Sequence, residues 1–267
     1  MGSTVRFQQI LGVRFLVGSA DDAIDQISRD GGLMVVPAAP ALMNLSRDRQ
    51  YREALLGADF AIADSALMVS VWNLAQVDRI PKVSGLKYLR ALIKRPELRA
   101  TGATFWVMPT AASIERNVKW LRERGIGVDR DHTYLAPMYG EGIEDEALLR
   151  QIEQRRPRHI IVGLGGGTQE RLGLYLKRNL SYKPAIHCIG AAIAFLTGDQ
   201  VRIPIWVDHA GLGWLWRTAS NPAVFAPRYW GARHLASMIL RYRDHIPLPP
   251  AHPVPLRAGL PPAQFER

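Results

Sequence analysis

An α/β fold on a doubly wound, mostly parallel sheet is predicted by three features of the sequence. Short apolar runs alternate with helix-forming segments along most of the chain, with no internal repeat, which is the signature of βαβ units. Several of those runs are continuously apolar, Leu33-Met-Val-Val36 above all, and so read as buried strands. The runs also stop at residues suited to turns and caps: Pro37–Pro40, Asp64-Ser65, Pro109-Thr110 and Gly165–Gln169. In a parallel sheet these would line one rim, outside the carboxyl ends of the strands, where ligands bind.

Taken in order, Val13–Val17 is a short strand, and Ser19-Ala-Asp-Asp22 caps a helix whose inner face is Ala23, Ile24 and Ile27. Gly31-Gly32 ends it before the strand Leu33–Val36, which Pro37-Ala-Ala-Pro40 stops because prolines cannot continue a ladder. One helix is expected over 41–56, then a strand over 58–63, with Asp64-Ser65 capping a helix through Trp72 and Leu74. Lys82-Val-Ser-Gly85 leads into a helix with a basic face of Lys87, Arg90, Lys94 and Arg95. Thr104–Met108 is a strand, and a helix from Ala111 to Arg124 is closed by Gly125. A short strand and a turn share 128–135, and the acidic start of a helix over 144–156 suits its dipole. Ile160–Leu164 is a strand, followed by the glycine turn and a helix, and the apolar run 185–196 closes the sheet.

The hydrophobic content of 48% in 267 residues is enough for a packed core, as one large domain or a domain with an appendage. Three regions are expected: a main α/β domain over 1–201, a basic Trp/Arg-rich appendage over 202–246, and a proline-rich, disordered tail over 247–267. The stretch from Met1 to Leu11 has no apolar core of a signal peptide, and the longest apolar run is too short to span a bilayer. A soluble protein or one lying on a membrane surface is therefore expected. The single cysteine, Cys188, sits in an apolar run and reads as an inert core thiol in a reducing compartment. The net charge of +10 favours a polyanionic partner: nucleic acid, a nucleotide with its diphosphate, or an anionic lipid surface. Much of the excess lies after residue 201, where arginines 202, 217, 228, 233, 241, 243, 257 and 267 face only Asp208, Asp244 and Glu266. Cations mix there with Trp206, Trp214 and Trp216, which suits an interfacial helix. The alternative is a terminal helix pair that packs on the core. No nucleic-acid motif is present.

Candidate chemistry centres on Gly163-Leu-Gly-Gly-Gly-Thr-Gln169. A glycine turn between strand and helix lets backbone N–H groups face an anion, because no Cβ blocks its approach. It is neither the spaced dinucleotide fingerprint nor a Lys-bearing P-loop, and close packing alone would also explain it. Asp64, at a strand end on the rim, is placed either as a general base or as a helix cap. Asp129, Asp131 and His132 carry two carboxylates suited to a divalent ion, but they lie in a charged turn and read as a solvated loop. No histidine spacing suggests zinc, and Ser65 and Ser84 lack the glycines of a nucleophile elbow.

From about Gly12 to Tyr242 the chain resembles the WecG/TagA/CpsF family of bacterial glycosyltransferases. Val162-Gly-Leu-Gly-Gly-Gly-Thr-Gln-Glu170 is similar to the family's V-G-x-G-x-P-x-Q-E. Ile189–Gly198 with Arg202-Ile-Pro204 is similar to G-x-x-F-D-F-x-x-G followed by R-A-P. Gly213-Trp-Leu-Trp-Arg217, Asn221-Pro222 and Arg228-Tyr229 resemble its E-W-x-x-R, P and R-Y series. Ala63-Asp64 stands at its A-D-G, and Lys82-Val-Ser-Gly85 at its R-V-x-G.

The resemblance implies a modified Rossmann-like fold with a helical basic carboxyl-terminal appendage. It also implies an inverting, metal-independent transfer from a UDP-sugar to an undecaprenyl-diphosphate-linked acceptor in surface polysaccharide synthesis. Carried over, Asp64 is the base, and Gln169, Lys82, Gly163, Gly165 and Gly166 hold the donor. Arg202, Arg217, Arg228 and Arg233 meet the acceptor diphosphate or the membrane. No cofactor, resident metal or nucleic acid is implied. The expected location is the inner face of the cytoplasmic membrane, and a homo-oligomer is compatible with it. The chain departs from the pattern on the donor side. Pro37-Ala-Ala39 replaces T-x-N, Ser65 and Leu67 replace the glycines of D-G-x-G, and Lys82 replaces an arginine and its planar fork. Ala194 replaces the aspartate of F-D-F, and Gly167 the proline before Gln169. These departures keep open an inactive nucleotide- or lipid-linked-sugar-binding regulator of the same fold.

Overall fold

The apolar runs pair into one sheet in the computed structural model, which describes residues 5–140, 142–198 and 233–248 (of Arg233, the backbone only). Its strands are β1 (Arg6–Ile10), β2 (Val13–Val17), β3 (Gly32–Val35), β4 (Phe60–Ala61), β5 (Thr104–Met108), β6 (Thr133–Leu135), β7 (His159–Val162) and β8 (Ala185–Cys188). They form an eight-stranded sheet in the order β1-β2-β4-β3-β8-β7-β5-β6. Every pairing from β2 to β6 is parallel, and only β1 runs antiparallel, as a hairpin with β2. The doubly wound, mostly parallel sheet expected from the sequence is present.

Helices cover both faces. In chain order they are α1 (Ala20–Asp30), α2 (Ala39–Leu42), α3 (Arg49–Leu56), α4 (Ala66–Ala75), α5 (Gly85–Leu92), α6 (Ala111–Arg122), α7 (Glu146–Arg155), α8 (Thr168–Asn179), α9 (Ala192–Thr197) and α10 (Arg233–Tyr242). Side chains of α3, α4, α7, α8 and α10 share one core with Leu33, Val35, Phe105 and Ile160. Those of α1, α5, α6 and α9 share the other with Met34, Phe60, Trp106 and Ile161. Alternate strand residues thus serve opposite layers, which is why the runs had to be continuously apolar. The chain leaves β3 toward the first layer and β8 toward the second. A crevice therefore opens between the ends of these neighbouring strands, at the topological switch point.

Three local differences from the sequence reading have physical causes. The helix expected over 41–56 is broken: a 3-10 turn follows α2, and Asp48 starts α3 afresh by accepting the Tyr51 N–H at 2.9 Å. The strand expected over 58–63 shortens to Phe60–Ala61. β1 was not expected, because Arg6–Ile10 carries two glutamines and no apolar run. Its register comes from Leu11 (φ 52°) and Gly12 (φ 78°), whose left-handed pair closes a tight hairpin.

The carboxyl-terminal helix α10 packs on this domain. Leu235 and Ile239 are buried in the first core, in the layer that includes α4. Past its end, the N–H groups of Leu11 and Gly12 donate to Arg243 O (2.7 Å) and Asp244 O (2.9 Å). Among the described residues no helix is long and apolar enough to cross a membrane. The remaining parts of the expected appendage and tail lie outside the described residues.

Candidate active site

Asp64 leaves β4 at the rim, half-buried. It does not cap the next helix; Ser65 does, accepting the Met68 N–H at 3.1 Å. The Asp64 carboxylate instead turns to the start of α5, where its Oδ1 accepts the backbone N–H of Gly85 at 3.1 Å. Val83 N donates to Ala63 O at 3.0 Å, so the 82–84 segment runs beside the strand end, and Ser84 caps α5 by accepting the Lys87 N–H. Two helix N-termini, those of α4 and α5, therefore converge on Asp64. Among the described residues Oδ2 accepts no hydrogen bond, so one carboxylate edge is fixed and the other is open. Lys82 lies half-buried in the same segment.

The glycine turn stands on the far side of the crevice. β4 and β7 are separated by β3 and β8, so three interstrand spacings place it roughly 14 Å from Asp64. Gly165 and Gly166 are exposed, and a Cβ on either would meet nothing within 4 Å. Their N–H groups have no protein acceptor among the described residues, as an anion cradle requires. Gly167 takes φ 92°, and its N–H donates to Glu170 Oε2 at 2.6 Å, closing the turn against α8. Gly163 plays a different part: its N–H is committed to Val107 O at 2.9 Å, which extends the sheet ladder.

Gln169 is buried beneath the turn, 3% exposed. Its Oε1 accepts the Gly190 N–H at 2.6 Å, and its Nε2 donates to Glu170 Oε1 at 3.0 Å. The side chain thus ties the end of β8 to the start of α8. Burial raises the Glu170 carboxyl above the usual range, against the hydrogen bonds from Gln169 and Gly167 that lower it. Cys188 lies below, its Sγ donating to Gln169 O at 3.1 Å, with the thiol pushed well up by burial and then by Glu170. The inert core thiol expected from the sequence is what the fold contains.

Between these polar flanks the wall is apolar. Pro37 and Ala39 at the end of β3 are buried with Ala38 exposed, and beyond β8 come Ala191, Ala192 and Ala194. The charged turn read as a solvated loop is one: Asp129 Oδ1 accepts from Asp131 N, His132 N and His132 Nδ1. It precedes β6, at the edge opposite the rim. Among the described residues no three His, Cys, Asp or Glu side chains gather as metal ligands. Arg202, Arg217 and Arg228 lie outside the described residues, and Arg233 is described only as the first residue of α10. Sequence reasoning gave no role to Gly85 or Gly190, the two backbone donors that orient Asp64 and Gln169. The N-cap pattern at Ser84 was the available signal for the first; the second is a tertiary contact without a local signature.

Residues 8–246 match the sequence profile of the Glycosyl transferase WecG/TagA/CpsF family. The chain belongs to that family. It is similar to N-acetylglucosaminyldiphosphoundecaprenol N-acetyl-beta-D-mannosaminyltransferase of Staphylococcus aureus (strain NCTC 8325 / PS 47), with 21% identity over 188 residues, 69% of this chain and 71% of the relative. The protein of the same description from strain MRSA252 is 22% identical over 191 residues, with the same coverage of each chain. As a member of the WecG/TagA/CpsF family the protein is a glycosyltransferase.

Proposed function

We propose that this glycosyltransferase moves a sugar from a UDP-sugar to an undecaprenyl-diphosphate-linked acceptor in the synthesis of a bacterial cell-envelope polymer. The acceptor class follows the named activity of the Staphylococcus relatives, which act on N-acetylglucosaminyldiphosphoundecaprenol. One observation carries the assignment of the base: Asp64 is oriented by Gly85 N–H, and among the described residues neither its second oxygen nor the Gly165 and Gly166 N–H groups across the crevice has a hydrogen-bond partner.

In the reaction, Asp64 Oδ2 takes the proton of the acceptor hydroxyl as that oxygen bonds to the anomeric carbon. The bond to the donor's diphosphate breaks on the opposite side, inverting the configuration, and UDP leaves with the electron pair. The Gly165 and Gly166 N–H groups, with Lys82, meet the growing negative charge. This scheme takes its charge stabilisation from backbone donors and side chains and uses no resident metal. Arg202, Arg217, Arg228 and Arg233 are assigned to the lipid-linked diphosphate and the membrane surface, which makes the enzyme peripheral on the cytoplasmic side. Membership of a glycosyltransferase family favours this over the inactive binder.

The test is transfer from a panel of UDP-sugars to a short-chain polyprenyl-diphosphate N-acetylglucosamine acceptor. Turnover by the wild type, its loss in Asp64→Asn and retained UDP binding by calorimetry are expected. Full turnover in Asp64→Asn sinks the base assignment, and absence of transfer with every donor sinks the substrate assignment.

A further inference from the structure

The second core holds a buried polar chain that the scheme above does not use. Tyr88 on α5, His187 on β8 and His159 on β7 are each 0% exposed. The Tyr88 hydroxyl lies 2.7 Å from His187 Nδ1, and His187 Nε2 lies 3.1 Å from His159 Nδ1, with the two imidazoles stacked at 5.4 Å. His159 Nε2 is buried without a partner. If Tyr88 donates, His187 passes its own N–H to His159 and an N–H is stranded at the far end. If the order is reversed, the Tyr88 hydrogen is stranded instead. The Tyr88–His187 bond exists in both arrangements. A group so costly to bury calls for an account, and its place in the fold supplies one.

Tyr88 lies one helical turn after Gly85, the residue whose N–H orients Asp64. Gly85 sits close over the crevice floor: a Cβ there would lie 3.4 Å from both Ile189 O and Val36 Cγ1, at the ends of β8 and β3. The other end of α5 is held by Arg95, which reaches Asp21 (3.0 Å) and Asp25 (2.9 Å) on α1. Among the described residues the Tyr88–His187 bond is the polar tie of the first turn to β8, while Val83 N and Gly85 N tie the same end of the helix to Ala63 and Asp64 after β4.

We propose that Tyr88 is a positioning residue for glycosyl transfer: by bonding His187 it fixes the first turn of α5 over β8 and so holds the Gly85 N–H that orients Asp64. The inference rests on the assignment of Asp64 as base. Tyr88 touches no substrate; it acts through two backbone-linked steps, and a small misplacement of a base is enough to slow transfer.

Two readouts test it. Amide exchange at Gly85, followed by NMR, needs no substrate: Tyr88→Phe and His187→Leu are expected to speed it about tenfold. His187→Asn, whose amide oxygen can occupy the place of Nδ1, is expected to restore protection. Tyr51→Phe serves as control, since the Tyr51 hydroxyl is buried without a partner against the other face, and is expected to change nothing. With UDP-N-acetylmannosamine and the polyprenyl acceptor, kcat should fall about tenfold in Tyr88→Phe at a donor KM within twofold of wild type. Unchanged Gly85 exchange in Tyr88→Phe overturns the proposal, as does failure of His187→Asn to recover what His187→Leu loses. Should Tyr88→Phe not fold, the two His187 variants decide. Full activity in Asp64→Asn defeats the base assignment itself; a dead Asp64→Asn beside a fully active Tyr88→Phe defeats only this inference.

Discussion

Gly85 donates its backbone N–H to Asp64 Oδ1 at 3.1 Å, across 21 residues of sequence. The bond links the end of a strand to the first turn of a helix that begins elsewhere in the chain. It converts a flexible carboxylate into one with a fixed edge.

Removing that donor without removing a side chain is therefore informative. Gly85 is the first residue of α5, a position where proline is well accepted, and Ser84 before it has φ −74° and ψ 150°, the extended conformation a following proline demands. Gly85→Pro is expected to fold with a Tm within a few degrees of wild type and to lose about tenfold or more in kcat. Wild-type kcat in a well-folded Gly85→Pro protein would show that the N–H does not matter to transfer.

Gln169 is predicted to act chiefly through the scaffold. In Gln169→Leu the part-buried Gly190 N–H and one buried Glu170 oxygen both lose their partner. The expected cost is about 2–4 kcal/mol by urea unfolding, with UDP affinity reduced because the glycine turn loses its anchor. Undiminished stability with lost binding would instead make Gln169 a direct ligand.

The buried histidines make stability depend on pH in a definite direction. Desolvation, with the nearby Arg158 charge, lowers His159 to about 4, and burial holds His187 well below its ordinary range. In that window the unfolded chain binds more protons than the native one, so stability is full above the unfolded value near 6.5 and falls as pH drops toward about 4. His159 accounts for on the order of 3 kcal/mol of this loss. Glu170, raised by burial, works in the opposite sense above its unfolded value. The contribution is best read as a difference: urea unfolding of His159→Leu from pH 7 to 4 should show a shallower decline than wild type. Parallel declines would refute the assignment.

Gly12→Ala tests how firmly the carboxyl-terminal segment is docked. Gly12 has φ 78°, and a Cβ there would lie 2.1 Å from Ile246 Cγ1. Backbone strain and overlap act together, so a loss of about 2–4 kcal/mol is expected. Limited proteolysis is then expected to cut around residues 243–248 faster than in the wild type.

The sheet was legible because its signals are local. Leu33–Val35 and Ile160–Val162 announce themselves by apolar continuity, and Ser19 and Ser65 announce helices by capping chemistry. The rim followed from topology, and it brought Asp64 and Gly165 onto one edge as expected. What stayed hidden depends on pairs distant in sequence. Asp64 looked equally like a base and a cap, and only the fold shows Ser65 capping while Asp64 turns to Gly85. His159 and His187 carry no pattern in sequence, since one hydrogen bond across 28 residues relates them. Gln169 resembled a ligand-facing amide until Gly190 was found on its oxygen. β1 escaped notice because an edge strand held by a hairpin needs no apolar run.

The chain's single thiol sits where it can time the site's opening. Cys188 lies under the glycine turn with Sγ bonded to Gln169 O, sealed by the same segment that faces the crevice. A thiol reagent in solution reaches it only after α8 lifts from β8, so its labelling rate measures how often the site's floor separates. Any ligand that clamps the turn must slow that clock in proportion to its occupancy. The enzyme thus carries an internal reporter that needs no engineered probe and no knowledge of which sugar it transfers.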